Sequence, residues 1–233
     1  MSWKGWIACG VVVVSTRLEA QTCMGTASYR AGRVQAAVMM ESGNDATGLG
    51  ASLGAGSQKV RGPFVQGSLS RVELDLGGTD ETVTGVGAEF GYGIELPTSS
   101  ASRAILQICP HLGIAYLRGP DFNGGVLGAI ETRSRALEAG MSFGAMFPSS
   151  SGVSLVPSVG ISFLAQSITV KQSAFPRDAK TSEDYGNFEI ALGVVVGQTV
   201  TVQPAVAFPF GVAGADPTMR LALAVNFGRG RSP

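Results

Sequence analysis

The stretch TVTGVGAEFGYGIEL, residues 82–96, narrows the fold more than any other part of the chain. Its even positions are Thr84, Val86, Ala88, Phe90, Tyr92, Ile94 and Leu96. Its odd positions are Val83, Gly85, Gly87, Glu89, Gly91, Gly93 and Glu95. Successive side chains of a β-strand point to opposite faces, so one face here is large and apolar and the other is small. Glycine weakens strands as well as helices, so its use at every second position needs a reason. A soluble sheet puts long polar groups into water. A face made mostly of glycine suits a cramped interior, and the apolar face must then meet something large and apolar outside.

The same period recurs along most of the chain. Residues 45–56 set Leu49, Ala51 and Leu53 against Gly48, Gly50 and Gly54. Residues 104–116 set Leu106, Ile108, Leu112 and Ile114 against Gln107, Cys109, His111 and Gly113. Further alternating runs cover 133–147, 151–163, 187–197, 199–210 and 218–228. Two less regular runs, 33–42 and 62–76, complete ten expected strands, with eight as the alternative. The parity of 62–76 slips near Ser68 to Ser70, which reads as a bulge. Pro110, Pro157 and Pro204 fall inside expected strands and read as local bulges, because proline gives up a ladder hydrogen bond. The runs are about as long as a tilted membrane-crossing strand of ~9–11 residues requires, and longer than the ~5–6 of soluble strands. No segment sustains a helical period.

Composition agrees. Hydrophobic residues make up 45% and charged residues 15%, with 33 glycines and a positive mean hydropathy. No apolar run reaches the ~18 residues of a membrane helix. An apolar chain without such a helix is either a deeply buried soluble fold or a membrane β-barrel. The net charge is zero, so nucleic acid is not an expected partner.

Residues 1–20 read as a signal peptide. Lys4 precedes the apolar core WIACGVVVV, and Leu18 and Ala20 stand at the minus-three and minus-one positions of a cut. An N-terminal anchor and a lipid-modified Cys23 are the alternatives. Removing 1–20 takes Cys9 with it and leaves Cys23 and Cys109, an even count that in an oxidising compartment points to one disulfide, with two free thiols as the alternative. Residues 21–32 then form an N-terminal periplasmic segment, a plug tethered by a Cys23–Cys109 bond. Residues 33–228 form the barrel and 229–233 a tail. With both termini periplasmic, the third and fourth outer loops, 117–129 and 170–186, are expected to be the long ones.

The chain resembles the small bacterial outer-membrane β-barrels of the OmpX/OmpA-like class. The likeness rests on the signal peptide, the repeated apolar/small alternation, and aromatics near strand ends (Phe90, Tyr92, Tyr116, Phe143, Phe147, Phe163, Phe188, Phe208, Phe210 and Phe227). The final strand MRLALAVNF completes it. In that class the last strand usually ends the chain on an aromatic; here GRGRSP follows Phe227. The resemblance implies a closed antiparallel up-and-down all-β barrel in the outer membrane of a diderm bacterium. Outer-membrane lipid and the barrel-assembly machinery are the partners it implies.

On this reading the inner face carries few ionisable groups: Glu89, Glu95, Glu138, Glu189, Arg220 and His111. Buried charges must be paired or hydrated. An ion-paired filling around Arg220 is the plainer expectation, and a permeation or proton path lined by the carboxylates is the other. Ser154, His111 and Glu138 can be assembled on paper into a Ser–His–Glu set, but nothing in their spacing selects them, so no enzyme is expected. No metal cluster or nucleotide loop stands out, and no cofactor is expected. The functional expectation is an outer-membrane barrel with a structural or surface-interaction role and a narrow, filled lumen. The alternatives are a small-solute porin and a soluble periplasmic lipocalin-like carrier whose large residues line an internal cavity.

Overall fold

A computed structural model describes residues 34–44, 46–56, 61–75, 80–97, 104–123, 129–147, 152–172, 178–197, 199–212 and 215–227. The expected signal peptide, the 21–32 segment with Cys23, and the 229–233 tail lie outside the described residues. All regular structure among the described residues is β-strand, and no helix is long and apolar enough to cross a membrane.

The strands are β1 (Val34–Ser42), β2 (Ala46–Gly56), β3 (Gly62–Asp75), β4 (Asp80–Leu96), β5 (Ile105–Arg118), β6 (Phe122–Asn123), β7 (Ala129–Met146), β8 (Val153–Gln172), β9 (Ala179–Val196), β10 (Val200–Phe210) and β11 (Thr218–Phe227). β6 is a two-residue piece on the edge of β7. The other ten pair antiparallel with their neighbours in sequence, and β1 pairs with β11, so the sheet closes into a ten-stranded up-and-down barrel. Ten strands, not eight, is the outcome.

The register fixes the size. Following paired residues from Val200 through Val225, Ala36, Leu53, Gly67, Ala88, Ile114, Leu137, Ala165 and Asp184 leads back to β10 opposite Val212, twelve residues further along. A shear of twelve over ten strands tilts them by roughly 40° and gives a backbone radius of about 10 Å. A lumen of that width is largely filled by its own side chains.

The bulges expected from the sequence are not formed. β3 keeps one register with β2 and with β4 along its whole length. The apparent slip at Ser68 to Ser70 marks a change of environment. Below it the outward residues are Val65 and Leu69; above it they are Arg71, Glu73 and Asp75, while Val72 and Leu74 turn inward and are buried. The strand leaves the apolar band there, and polar and apolar exchange faces without any change of pairing. The prolines are accommodated just as simply. Each faces outward and keeps one ladder partner: Pro110 pairs with Met141, Pro157 with Leu192 and Pro204 with Leu221. Each lacks a pairing with its other neighbour at the same register position, and the register resumes unshifted.

The expected fourth outer loop, 170–186, is mostly strand. β8 runs to Gln172 and β9 starts at Ala179, with pairing unbroken from Val170–Ala179 downward. β7, β8 and β9 have 18, 20 and 18 residues. At this tilt a strand of 20 residues rises about 50 Å, roughly twice the ~25 Å of an outer-membrane apolar band.

The large apolar residues face outward. Leu69, Ile114 and Met219 are 62%, 63% and 70% exposed, and Val38, Leu53, Phe90, Leu137, Leu223 and Phe163 share that surface. The carrier reading required these residues to line a cavity, and this arrangement excludes it. In water such a belt would aggregate; against lipid it is the stable arrangement. Near the upper limit of the belt Phe163 meets Phe210 edge-on at 5.8 Å and Phe188 lies against Phe208 at 6.4 Å. The Phe210 ring covers Gly186, where a Cβ would collide with it.

Candidate functional site: the polar layer inside the barrel

The inner face sorts into layers. Near the upper end Val72, Leu74, Val83 and Leu117 form a buried apolar cluster with Ala46 against it. Near the lower end Met146, Val156 and Val195 form another, flanked by Ile105. Polar and charged groups occupy the wall between: Arg220, Glu189 and His111 are buried there, with Gln66, Ser142, Ser162, Asn187 and Gln203.

Arg220 of β11 is the centre of one group. Its Nη1 donates to Glu189 Oε2 at 2.7 Å, and its Nη2 lies 3.5 Å from Glu41 Oε1. Glu41 on β1 is its direct cross-strand partner, but Glu189 is two strands away on β9. Arg220 reaches it across β10, where the inward residues opposite Arg220 and Glu189 are Ala205 and Ala207. Short side chains on the intervening strand make this ion pair feasible.

The second group lies on β4, β5 and β7. His111 Nε2 stands 3.6 Å from Glu138 Oε1. Glu89 and Glu138 flank Gly113 from either side. His111 lies between Gly91 and Gly140, and a Cβ at Gly140 would come within 2.5 Å of the imidazole Nε2. Glu41 pairs with Gly48 and Glu189 with Gly160. The inner-face glycines therefore have a specific use: Glu41, Glu89, Glu138, Glu189 and His111 each lie beside one, where the missing side chain leaves them room, while Arg220 lies beside Ala205.

Of the six ionisable groups read from the sequence, Arg220 and Glu189 come together, as do His111 and Glu138, and Glu89 joins the second group. Glu95 does not belong to the layer; it is exposed at the lower rim, opposite Gln107. Ser154 does not meet His111. It lies near the lower end of β8, while Ser162 occupies the row of His111 and Gly140, so the Ser–His–Glu set is not assembled. Sequence reading missed Glu41, although the parity of β1 (Gln35, Ala37, Met39, Glu41) places it inward. It also missed the amide lining: Gln35 Nε2 donates to Asn226 Oδ1 at 3.0 Å, and Gln166 Nε2 to Ser134 Oγ at 2.7 Å. Among the described residues no cluster of His, Cys, Asp and Glu could hold a metal. Cys109 is 1% exposed on the inner face of β5 and its sulfur is engaged; Cys23 lies outside the described residues.

No protein-family model matches the chain, and no curated protein matches it in sequence. Solved structures do match. The transport unit of the autotransporter AIDA-I from Escherichia coli aligns over 96% of this chain and 98% of its own, with 12% identity and a TM-score of 0.56. The translocator domain of the autotransporter NalP from Neisseria meningitidis aligns over 86% of this chain and 79% of its own, with 17% identity and a TM-score of 0.52. At such identities the likeness carries the fold alone. With a closed barrel, an outward apolar belt and an inward polar layer already in place, the chain is an integral β-barrel of the bacterial outer-membrane type.

Proposed function

We propose that this protein is a non-conducting outer-membrane barrel whose tall β7–β9 wall is a surface-exposed interaction platform. The observation that carries the reading is the Arg220–Glu189–Glu41 cluster, buried partway up a barrel whose backbone radius is about 10 Å, with apolar clusters above and below it. A buried charge held by two partners stays put, because leaving them means crossing a region that hydrates it poorly. The upper end faces outward on this reading, since the overhanging strands are there and periplasmic connections are the short ones. In planar bilayers the purified protein is expected to give no stable conductance steps. Steady open-channel current from folded, heat-modifiable protein would refute it.

A narrow, cation-preferring channel is the second reading. Ser142 Oγ, Ser162 Oγ, Asn187 Oδ1 and Gln203 Oε1 are buried without a hydrogen-bond partner among the described residues, which favours a hydrated track. Carboxylates outnumber cations along it.

Cys109 faces the lower half of the lumen, and β1 begins at the lower end. The chain from Cys23 to Val34 can extend about 35 Å, enough for Cys23 to enter and bond Cys109. Such a bond would hold 21–32 in the lower mouth as a plug. Peptide maps with and without reductant test it: one Cys23–Cys109 peptide is expected, and two unlinked thiols in exported protein would end the idea.

A further inference from the structure

Above the apolar belt, one hydrogen-bonded row of outward-facing residues runs across six strands, rising from β3 to β9 with the strand tilt so that Thr169 and Lys180 stand higher than Arg71. Arg71 pairs with Thr84, Thr84 with Arg118, Arg118 with Arg133, Arg133 with Thr169 and Thr169 with Lys180. On β3 to β5 this row is the first polar position after the apolar surface: Leu69 precedes Arg71, Val86 precedes Thr84 and Tyr116 precedes Arg118. On β7 the change comes one step lower, where exposed Arg135 follows Leu137. On β1, β2, β10 and β11 the outward residues at the corresponding height are Ser42, Thr47, Phe210 and Met219, with no cation among them.

Arg118 and Arg133 stand directly opposite each other, an arrangement that costs stability unless something anionic lies between them. Their own carboxylates are displaced upward. Arg71 bonds Glu73 and Arg133 bonds Glu131, both at 3.1 Å, and Arg118 lies 3.9 Å from Asp121. In every pair the acid belongs to the side farther from the belt. These pairs are exposed and individually weak. The Nε of Arg133 is buried with no partner among the described residues, and Arg135 stands beside Tyr116 and Ser167. The guanidinium level is thus left for a group at the height of lipid headgroups.

We infer that this strip, centred on Arg118, Arg133 and Arg135, binds the phosphorylated sugar headgroup of an outer-leaflet glycolipid. Guanidinium forks take phosphate oxygens in pairs, and neighbouring strands set the forks about 5 Å apart at the backbone. The flanking hydroxyls of Thr84, Thr169 and Ser167 suit a sugar. The inference rests on the proposal that the upper end faces outward. Labelling of Ser182→Cys in intact cells tests that orientation separately, and its failure would leave binding by the purified protein untouched.

The test uses full-length protein folded in nanodiscs, with bisphosphorylated lipid A and its dephosphorylated form as probes, read by native mass spectrometry. The R118Q/R133Q/R135Q variant should bind the bisphosphorylated probe at least about tenfold more weakly, with its heat-modifiable band intact. Wild-type protein should bind the dephosphorylated probe as weakly as the variant binds lipid A. The E73Q/E131Q variant should bind lipid A as tightly as wild type or more tightly. If the arginines served only their ion pairs, both variants would bind as wild type does, and the inference would fail. Equal wild-type binding of both probes would overturn it too.

Discussion

The wall built from β1, β2, β10 and β11 and the wall built from β7, β8 and β9 are made by one rule and used differently. The first has strands of 9 to 11 residues, little more than a tilted crossing of a ~25 Å band consumes. The second has strands of 18 to 20. On the short wall the outward face is apolar almost from end to end. On the tall wall it is apolar below, cationic at the transition, and polar above, with Ser167, Thr169, Lys171, Lys180, Ser182 and Asp184. Lipid accounts for the first pattern. Lipid followed by water accounts for the second, with the pairing unbroken across the boundary.

The largest effect expected from breaking this design lies on the inside of the short wall. Arg220→Met would leave Glu41 and Glu189 buried without their cation, a loss of about 3–5 kcal/mol for removal of one partner from a buried cluster. The E41Q/E189Q/R220M variant should recover most of it. Urea unfolding followed by the heat-modifiable band measures both. If the R220M single variant proved as stable as wild type, the cluster would not be what holds the short wall closed.

Next in size is a paired experiment on the outer face. Leu223→Arg puts a charge on the lipid side of the short wall near mid-height, at a cost of about 2–4 kcal/mol. Ser182→Arg introduces the same charge high on the tall wall, opposite Ser167, and should cost less than about 0.5 kcal/mol. Equal costs would show that the belt does not end where Arg71, Arg118 and Arg135 place its edge. Inside, Gly140→Ala should cost about 1–3 kcal/mol, because the new methyl would meet both the His111 ring and the Ser162 Cβ at under 3 Å. Gly67→Ala, on the outer face with only one backbone oxygen 4.0 Å away, should be neutral or slightly stabilising by the same unfolding assay.

The comparison also explains what the sequence could reveal. Period two along 82–96 and its repeats was enough for the strand count, the inward and outward assignment, and the inner placement of Arg220, Glu189 and His111. It was not enough for neighbours. Which glycine lies beside which charge depends on register, and register links residues such as Glu189 and Arg220 that are 31 positions apart. The tall wall was misread for a different reason. In 170–186 the outward residues are polar, and a polar run between two apolar alternating ones resembles a loop; above a membrane it is what an outward-facing strand should look like. The slip at Ser68 to Ser70 was the same crossing, mistaken for a bulge.

A loss no larger than that of Gly140→Ala follows from that reading of 170–186. If the upper halves of β8 and β9 stand clear of the lipid, they should be dispensable for insertion. Removing residues 168–181 and joining Ser167 to Ser182, a cross-strand pair, through a two-residue Asn-Gly turn preserves the register below. The variant loses backbone pairs that compete with water and the buried side chain of Ile168, so the expected cost is roughly 1–2 kcal/mol or less. It should still show the heat-modifiable band and reach the outer membrane. On the short wall the equivalent excision has no such latitude. Removing two cross-strand pairs from the top of β1 and β2, Glu41–Gly48 and Ser42–Thr47, shortens a wall that already only just spans the band and deletes an Arg220 partner. That variant should fail to form the shifted band. If instead the β8–β9 excision abolished folding, the upper hairpin would be part of the barrel's closure, and the division into a spanning wall and a projecting one would be wrong.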